Sequence, residues 1–130
     1  LKEFPNTVVD VQVYIPQADA STRVAAINAA ALALAHAGIP MRDLVSAVSI
    51  GKLDKELVVD VDKEEEDFEG GEGPTDFPIA KISTTDEFTL LQLDGKIPPE
   101  MIKEALNIGI KACDEIYEVQ KKALKDMVTT

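Results

Sequence analysis

The sequence is poor in several residue types, and their scarcity excludes whole classes of protein. Its 130 residues include one cysteine, Cys113, one histidine and no tryptophan. A single cysteine cannot form an internal disulfide, and without Cys and His neighbours it cannot build a structural zinc site. The chain is therefore neither a disulfide-stapled secreted domain nor a zinc module. We expect a reducing compartment for it, the cytoplasm.

Long apolar runs are also missing. The longest apolar stretch, Val24 to Ala35, is interrupted by Asn28 and is too short to span a bilayer, so we expect no membrane partner. A hydrophobic content of 45% is enough for one core, and a second core rarely fits in 130 residues. The sequence starts at Leu1 rather than at a methionine and shows no basic apolar leader, so we expect it to be part of a larger protein.

Basic residues are outnumbered. The chain has 13 Lys and Arg against 24 Asp and Glu, which gives a formal net charge of −11. A protein that binds nucleic acid by itself needs a basic surface to neutralise phosphates. Any contact with RNA must therefore be local or be completed by another chain.

Two patterns in the first forty residues predict a strand and a helix. Thr7 to Ile15 alternates β-branched and polar residues, which is typical of a half-buried strand. Val24 to Ala37 is rich in alanine, follows several capping residues and ends at Gly38, which predicts a capped helix. Because apolar residues occupy nearly every side of this helix, we expect it to be buried on most faces.

The rest of the chain predicts two hairpins and a long helix. The strand pairs are Leu44 to Ile50 with Glu56 to Val61, and Phe77 to Ser83 with Glu87 to Leu93. From Met101 onward, apolar residues recur at spacings of three and four, which predicts a helix with one apolar face. We expect an α+β fold in which both helices cover a sheet of roughly four to six strands.

Three sequence motifs point to a known family. They are QADASTR from Gln17 to Arg23, LALAHAGIPMRDLV from Leu32 to Val45, and TLLQLDG from Thr89 to Gly95. In this order they resemble the RNase PH family, and within it the catalytic subunits of archaeal exosomes. The resemblance covers nearly the whole chain. It implies an RNase PH-like fold with a ribosomal protein S5-like βα half-domain, whose mixed sheet is packed by one buried helix and one long C-terminal helix. Residues 1–130 would then form the C-terminal half of an RNase PH-like domain.

The resemblance also implies a function. Such subunits are phosphate-dependent 3′ to 5′ exoribonucleases of a hexameric ring, and they release nucleoside diphosphates from RNA. The implied partners are RNA, other RNase PH-like ring subunits and a complementary N-terminal half whose arginines grip the RNA backbone. The alternative within the family is a non-catalytic ring subunit for assembly and RNA guidance. An acidic module that binds divalent ions or proteins is a third possibility, but it leaves QADASTR unexplained.

The first candidate site is a phosphate site at the start of the alanine-rich helix. Ser21, Thr22 and Arg23 lie where free backbone N–H groups and the positive end of the helix dipole attract anions, and Arg23 adds a forked donor. An ordinary helix cap is the alternative interpretation. The resemblance implies that the three residues bind inorganic phosphate. Family members usually have glycine where Ser21 stands, so its hydroxyl would either donate to the phosphate or crowd it.

The second candidate site is a pair of carboxylates. Asp67 and Asp76 match the active-site aspartates of the family, and the resemblance implies that they are catalytic and hold Mg²⁺, one of them as a general acid. The loop between them is longer than is usual in the family, so Glu66 or Asp62 could take the role of Asp67. A solvated acidic turn is the alternative on composition alone. For His36 we expect a place near the helix C-terminus and no catalytic role.

Overall fold

The computed structural model describes residues 4–71 and 73–128. These residues form two long helices, a one-turn helix and five strands. In chain order the elements are α1 Thr22–His36, β1 Val45–Leu53, β2 Glu56–Val59, α2 Lys63–Glu66, β3 Thr75–Ile82, β4 Glu87–Leu91, β5 Asp94–Gly95 and α3 Pro99–Val128. Both predicted helices and both predicted hairpins are thus confirmed, and α2 is an addition. Within this part of the chain, no helix is both long enough and apolar enough to cross a membrane.

The strands build one sheet in the order β2-β1-β3-β4, and β5 pairs with the start of β3. The central pair is β1 with β3, in a register that runs from Val45 opposite Ile82 to Gly51 opposite Asp76. The α+β class is confirmed. The pairings between the described strands are all antiparallel, so in this region the sheet is not mixed as predicted.

The two long helices cover opposite faces of the sheet. Successive side chains of a strand point to opposite faces, so the neighbours Ala47 and Val48 of β1 belong to different layers. Ala47 and Ala80 pack with Val24 of α1. The other face is the larger core, where four sheet residues meet α3: Val48, Ile50, Phe77 and Ile79 pack with Ala105 and Cys113. The predicted packing of both helices on the sheet is therefore confirmed.

The first helix is less buried than its composition predicts. In α1 only Val24 and Ala31 are fully buried, while Ala25, Ala29 and Ala33 are exposed. The expectation of a helix buried on most faces is wrong for the described residues, because the sheet covers one side of α1 only. An alanine-rich helix can be buried on every side, but only where other helices or strands pack against each side.

The predicted strand from Thr7 to Ile15 does not form. The residues lie in irregular structure with exposed side chains, including Val8 at 80% and Tyr14 at 87% of full exposure. A strand exists only when its backbone pairs with another strand, and none of the described strands pairs with this segment. The alternating pattern marks residues suited to a strand, but it does not specify a strand with which they could pair.

Two side-chain amides close the free edge of β1. Strand β2 pairs only with the last four residues of β1, from Ile50 to Leu53. On the uncovered half of this edge, Asn28 of α1 bonds to both the N–H and the C=O of Ala47, at 2.8 Å each. Gln120 of α3 donates to the C=O of Val45 at 3.1 Å. The two helices thereby satisfy backbone groups that would otherwise need another strand.

Candidate functional site

Residues from distant parts of the sequence meet in one cavity on the α1 face of the sheet. The cavity has a volume of about 290 Å³, and its lining includes Ser21, Thr22 and Arg23 from the start of α1 and Asp76 from β3. Strand register explains the meeting, because Asp76 points to the face that α1 covers. His36 lies exposed at the opposite end of α1. The structure therefore brings the predicted phosphate segment together with one predicted aspartate.

The backbone before α1 has an unusual conformation. Ala20 and Ser21 both have left-handed φ angles, +55° and +49°. Residues other than glycine rarely adopt this conformation, because Cβ then crowds the backbone, and glycine avoids the clash. This geometry is a physical reason for the glycine that the family resemblance implies at position 21.

The hydroxyl of Ser21 does not cap the helix. It makes no side-chain hydrogen bond to the first turn of α1. It donates instead to the C=O of Val61 at 2.7 Å and lies 2.5 Å from the hydroxyl of Ser49. Because its one proton goes to Val61, Ser49 must be the donor in the second bond. The Ser21 side chain is thus held by β1 and the segment after β2, and it leaves the helix N–H groups free of a side-chain cap.

Arg23 is held by a residue that follows β4. The guanidinium Nη1 donates to Oε1 of Gln92 at 2.5 Å, and both residues are exposed. Gln92 follows β4 and belongs to the TLLQLDG motif, but nothing in that pattern marked it as a site residue. The charge of Arg23 also acts on Asp76, where it opposes the rise in pKa that burial and the carboxylate of Glu66 cause.

Asp76 sits where protonation is favoured. Its pKa is raised, first by burial and then by the negative charges of Glu66 and Asp94, which together outweigh the opposing effect of Arg23. Asp94 faces Asp76 directly in the pairing of β5 with β3. A carboxyl group that keeps its proton to a higher pH than an ordinary aspartic acid is suited to act as a general acid.

The second carboxylate at this cavity is Glu66 rather than Asp67. Glu66 lines the same cavity as Asp76, and its side chain is 27% exposed. Asp67 lines an adjoining cavity of about 230 Å³, which Asp76 and Glu66 also line, and its side chain is 62% exposed. Among the alternatives for this role, Asp62 is occupied as the N-cap of α2. Electrostatics and position therefore both favour Glu66 as the partner of Asp76.

The short helix α2 arranges this part of the site. Asp62 accepts the backbone N–H of Glu65 at 2.9 Å, and the side chain of Glu65 returns a bond to Asp62, so the pair forms a capping box. This signal is visible in the sequence, but the acidic composition concealed it. The helix carries Lys63, whose ammonium group pairs with Asp67 at 2.8 Å and Glu66 at 3.2 Å. These pairs raise the pKa of Lys63, Asp67 first.

The carboxylates alone do not form a complete metal site. In the part of the chain that the structure describes, no three His, Cys, Asp or Glu side chains are grouped to hold an ion. Asp76 and Glu66 still offer hard oxygen ligands at one cavity. Mg²⁺ commonly uses one or two carboxylates and takes its other ligands from water and substrate phosphates. The residues present therefore fit a Mg²⁺ ion that the substrate helps to bind.

Family models match almost all of the chain up to residue 112. Residues 1–40 match the 3′ exoribonuclease family, domain 1, and residues 43–112 match the 3′ exoribonuclease family, domain 2. The chain belongs to this family. The boundary between the two domain matches falls just after α1, within a chain that we predicted as the C-terminal half of one RNase PH-like domain. That assignment of residues 1–130 stays a prediction.

The 3′ exoribonuclease chain is similar to curated proteins called "Exosome complex component Rrp41". The identity is 48% over 126 residues with the protein of Thermococcus gammatolerans and 46% over 126 residues with that of Nitrosopumilus maritimus. Each alignment covers 97% of this chain but only 49% and 50% of the respective relative. The chain thus spans about half the length of these relatives. The resemblance to RNase PH and to archaeal exosome proteins is confirmed.

A solved structure supports the same fold. The chain is similar to rice (Oryza sativa) Rrp46, with a TM-score of 0.71 and 26% sequence identity. The match covers 82% of this chain and 49% of the rice protein. The RNase PH-like fold predicted from the motifs is therefore confirmed.

Proposed function

We propose that this 3′ exoribonuclease family member is a catalytic subunit of an exosome-like ring, and that it shortens RNA from its 3′ end using inorganic phosphate. The observation that carries this proposal is the single cavity that joins the start of α1 to two carboxylates, Asp76 and Glu66. An anion site and an acid in one cavity are the two requirements of phosphorolysis. The similarity to proteins named Rrp41 supports the same assignment.

Inorganic phosphate binds at the start of α1 in this proposal. The helix dipole and the N–H groups of the first turn favour an anion there, and Arg23 supplies further donors. A phosphate oxygen attacks the phosphorus of the last phosphodiester, and the bond from that phosphorus to the 3′ oxygen of the preceding nucleotide breaks. The products are a nucleoside 5′-diphosphate and an RNA that is one nucleotide shorter with a free 3′ hydroxyl.

The departing 3′ oxygen needs a proton, and Asp76 is the proposed donor. Its raised pKa means that it keeps a proton more readily than an ordinary aspartic acid. Mg²⁺, if held beside Asp76 by Glu66 and phosphate oxygens, would offset the negative charge that builds up at phosphorus. Asp67, predicted as the second catalytic and metal residue, stays a weaker candidate because its side chain is 62% exposed and does not line the cavity that Asp76 and Glu66 share.

RNA binding is proposed to depend on other chains. The net charge of −11 opposes RNA binding by this chain alone, so cationic residues must come from elsewhere. A complementary N-terminal half and neighbouring RNase PH-like subunits of a ring are the proposed sources. Two facts support this: the chain spans about half the length of its relatives, and those relatives are named as components of an exosome complex.

A non-catalytic ring subunit is the second candidate. The ammonium group of Lys63 already neutralises carboxylate charge next to the cavity, through its pairs with Glu66 and Asp67. A carboxylate engaged in this way is less available to a metal ion. This subunit would contribute to assembly and RNA guidance without releasing nucleotides.

The test uses the complete complex with single-stranded RNA, Mg²⁺ and phosphate, and it measures nucleoside diphosphate release. Asp76→Asn should reduce turnover by about 10² to 10⁴-fold, the usual contribution of general acid–base catalysis, while RNA binding stays unchanged. Asp54→Asn, the same chemical change in the exposed turn between β1 and β2, serves as the control.

The same assay compares the two candidate second carboxylates. Glu66→Gln should slow turnover and raise the Mg²⁺ concentration needed for half-maximal rate, whereas Asp67→Asn should have the smaller effect. The reverse order would return the role to Asp67. A wild-type complex that binds RNA but releases no diphosphate would favour the non-catalytic subunit, and equal rates for Asp76→Asn and wild type would refute the assignment of the acid.

A further inference from the structure

Gln92 is fixed to the same strand that carries Asp76. On one side of it, Leu91 pairs with Ile79 of β3, and on the other side Asp94 pairs with Asp76. The backbone N–H of Gln92 itself donates to the C=O of Pro78 at 3.2 Å. Pairing with β3 therefore fixes the backbone on both sides of Gln92, and this restricts where its side chain can reach.

The side chain of Gln92 reaches across to α1. Its Oε1 accepts the bond from Nη1 of Arg23 at 2.5 Å, between residues that are 69 positions apart in sequence. A guanidinium group has five N–H donors, so one bond to Gln92 leaves the others for an anion. The acceptor is also neutral. A carboxylate in the same place would neutralise the cation, whereas an amide oxygen orients it and leaves its charge available.

We propose that Gln92 is a positioning residue, which holds the guanidinium of Arg23 toward a phosphate at the start of α1. This inference rests on the proposed function, because it takes Arg23 as a phosphate ligand. It adds a component to the site: the link between α1, which carries the cation, and the β3–β5 pair, which carries Asp76. Gln92 thus sets the position of the attacking phosphate relative to the acid.

The bond between Gln92 and Arg23 contributes little to folding, since both residues are exposed and hydrogen bonds in water have a small net worth. Its effect lies in the population of Arg23 conformers. A free arginine distributes among several staggered rotamers, so only a fraction would point at the phosphate. Apparent affinity falls in proportion to the competent fraction, which predicts a rise of about 3- to 10-fold in the phosphate KM when the anchor is lost.

The experiment measures kcat and the phosphate KM of the complete complex, together with its melting temperature. Gln92→Met removes the acceptor at nearly constant side-chain length. It should raise the phosphate KM by about 3- to 10-fold, with kcat at saturating phosphate within about twofold and the melting temperature unchanged. Glu87→Met is the control, because it removes the acceptor of another exposed arginine, Arg42, at the far end of β4. It should leave the phosphate KM as it is.

A double-mutant cycle separates this inference from the proposed function. If Gln92 acts through Arg23, the variant with both Gln92→Met and Arg23→Ala should have the phosphate KM of Arg23→Ala alone. Additive effects, or an unchanged KM for Gln92→Met beside a raised KM for Arg23→Ala, would overturn the role of Gln92 and leave the phosphate site intact. An unchanged KM for Arg23→Ala would overturn the phosphate site itself, and the role of Gln92 with it.

Discussion

At the residue scale, Ser21 departs from the glycine that the family resemblance implies at this position. Ser21 has a left-handed φ angle, a conformation that favours glycine. Two hydrogen bonds, to Val61 and Ser49, hold its hydroxyl. The strain of this conformation, about 1 to 2 kcal/mol, is comparable with the net worth of these bonds. The sequence alone could not show which way the hydroxyl points, because Val61 and Ser49 become its neighbours only through the sheet.

This balance predicts different effects for two small substitutions. Ser21→Ala keeps the strained backbone and loses both hydrogen bonds, so it should lower the free energy of unfolding by about 1 to 2 kcal/mol. Ser21→Gly loses the same bonds but relieves the strain, so its effect should be close to zero. Thermal unfolding of the two variant complexes measures the difference. If Ser21→Ala were more stable than Ser21→Gly, the backbone at position 21 would not be strained.

Among the helices and strands, local sequence patterns predicted the type and approximate position of most elements. The spacing of apolar residues predicted α3, and short strand-like runs separated by turns predicted the strands of both hairpins. Boundaries moved where pairing extended them, as in β1, which continues to Leu53 through residues predicted as a turn. Of the candidate site residues, Asp76 could be placed from the sequence because the residues after it form a strand pattern, and it lies in β3. Asp67 was less secure, since helix α2 inside the loop determines which acid faces the cavity.

A buried lysine connects two of these elements. The side chain of Lys81 on β3 is 1% exposed, and its ammonium group bonds to Asp86 in the β3–β4 turn at 2.7 Å and to Asp114 of α3 at 2.8 Å. Burial alone would lower the pKa of Lys81, but the two carboxylates more than compensate and raise it. The lysine thereby ties the long helix to the hairpin.

Removal of both carboxylates should show how much the ion pairs of Lys81 contribute to stability. The double variant Asp86→Asn, Asp114→Asn leaves a buried cation without a counter-charge, and it should be destabilised by about 2 kcal/mol. This figure is below the range for fully buried pairs because both carboxylates are partly solvated. Adding Lys81→Met should restore most of the loss, as measured by thermal unfolding.

The pH dependence of the same link has a definite sign. Since the folded-state pKa of Lys81 lies above its ordinary value of 10.5, the contribution is complete below pH 10.5 and is lost as the pH rises through the folded value. Stability of the wild type should therefore fall more steeply above pH 10.5 than that of the triple variant. Equal slopes would contradict the assignment.

At the scale of the whole molecule, the chain has apolar surface that its own sheet does not cover. The outer face of α1 exposes Ala25, Ala29 and Ala33, and the segment from Thr7 to Ile15 exposes its β-branched residues. No sequence pattern could reveal this, because a pattern marks a residue as suited to burial whether or not its partner belongs to the same chain. The chain also spans only about half the length of the Rrp41 relatives, which agrees with a surface that another part of the protein covers.

The uncovered surface predicts self-association of the isolated chain. Contiguous exposed apolar surface favours contact with other molecules, so the purified chain should form oligomers or aggregates in sedimentation velocity experiments. Addition of the complementary half should convert these species into one defined complex. A chain that remains monomeric across the accessible concentration range would contradict the prediction.

In the proposed reaction, phosphate bound at the start of α1 attacks the last phosphodiester of RNA. The most direct measurement supplies the complete complex with single-stranded RNA, Mg²⁺ and isotopically labelled inorganic phosphate, and then identifies the released nucleotide by mass spectrometry. We predict a nucleoside 5′-diphosphate with the label in its β-phosphate and no release when phosphate is left out. Unlabelled nucleoside monophosphates, formed equally well without phosphate, would show that water rather than phosphate attacks the RNA.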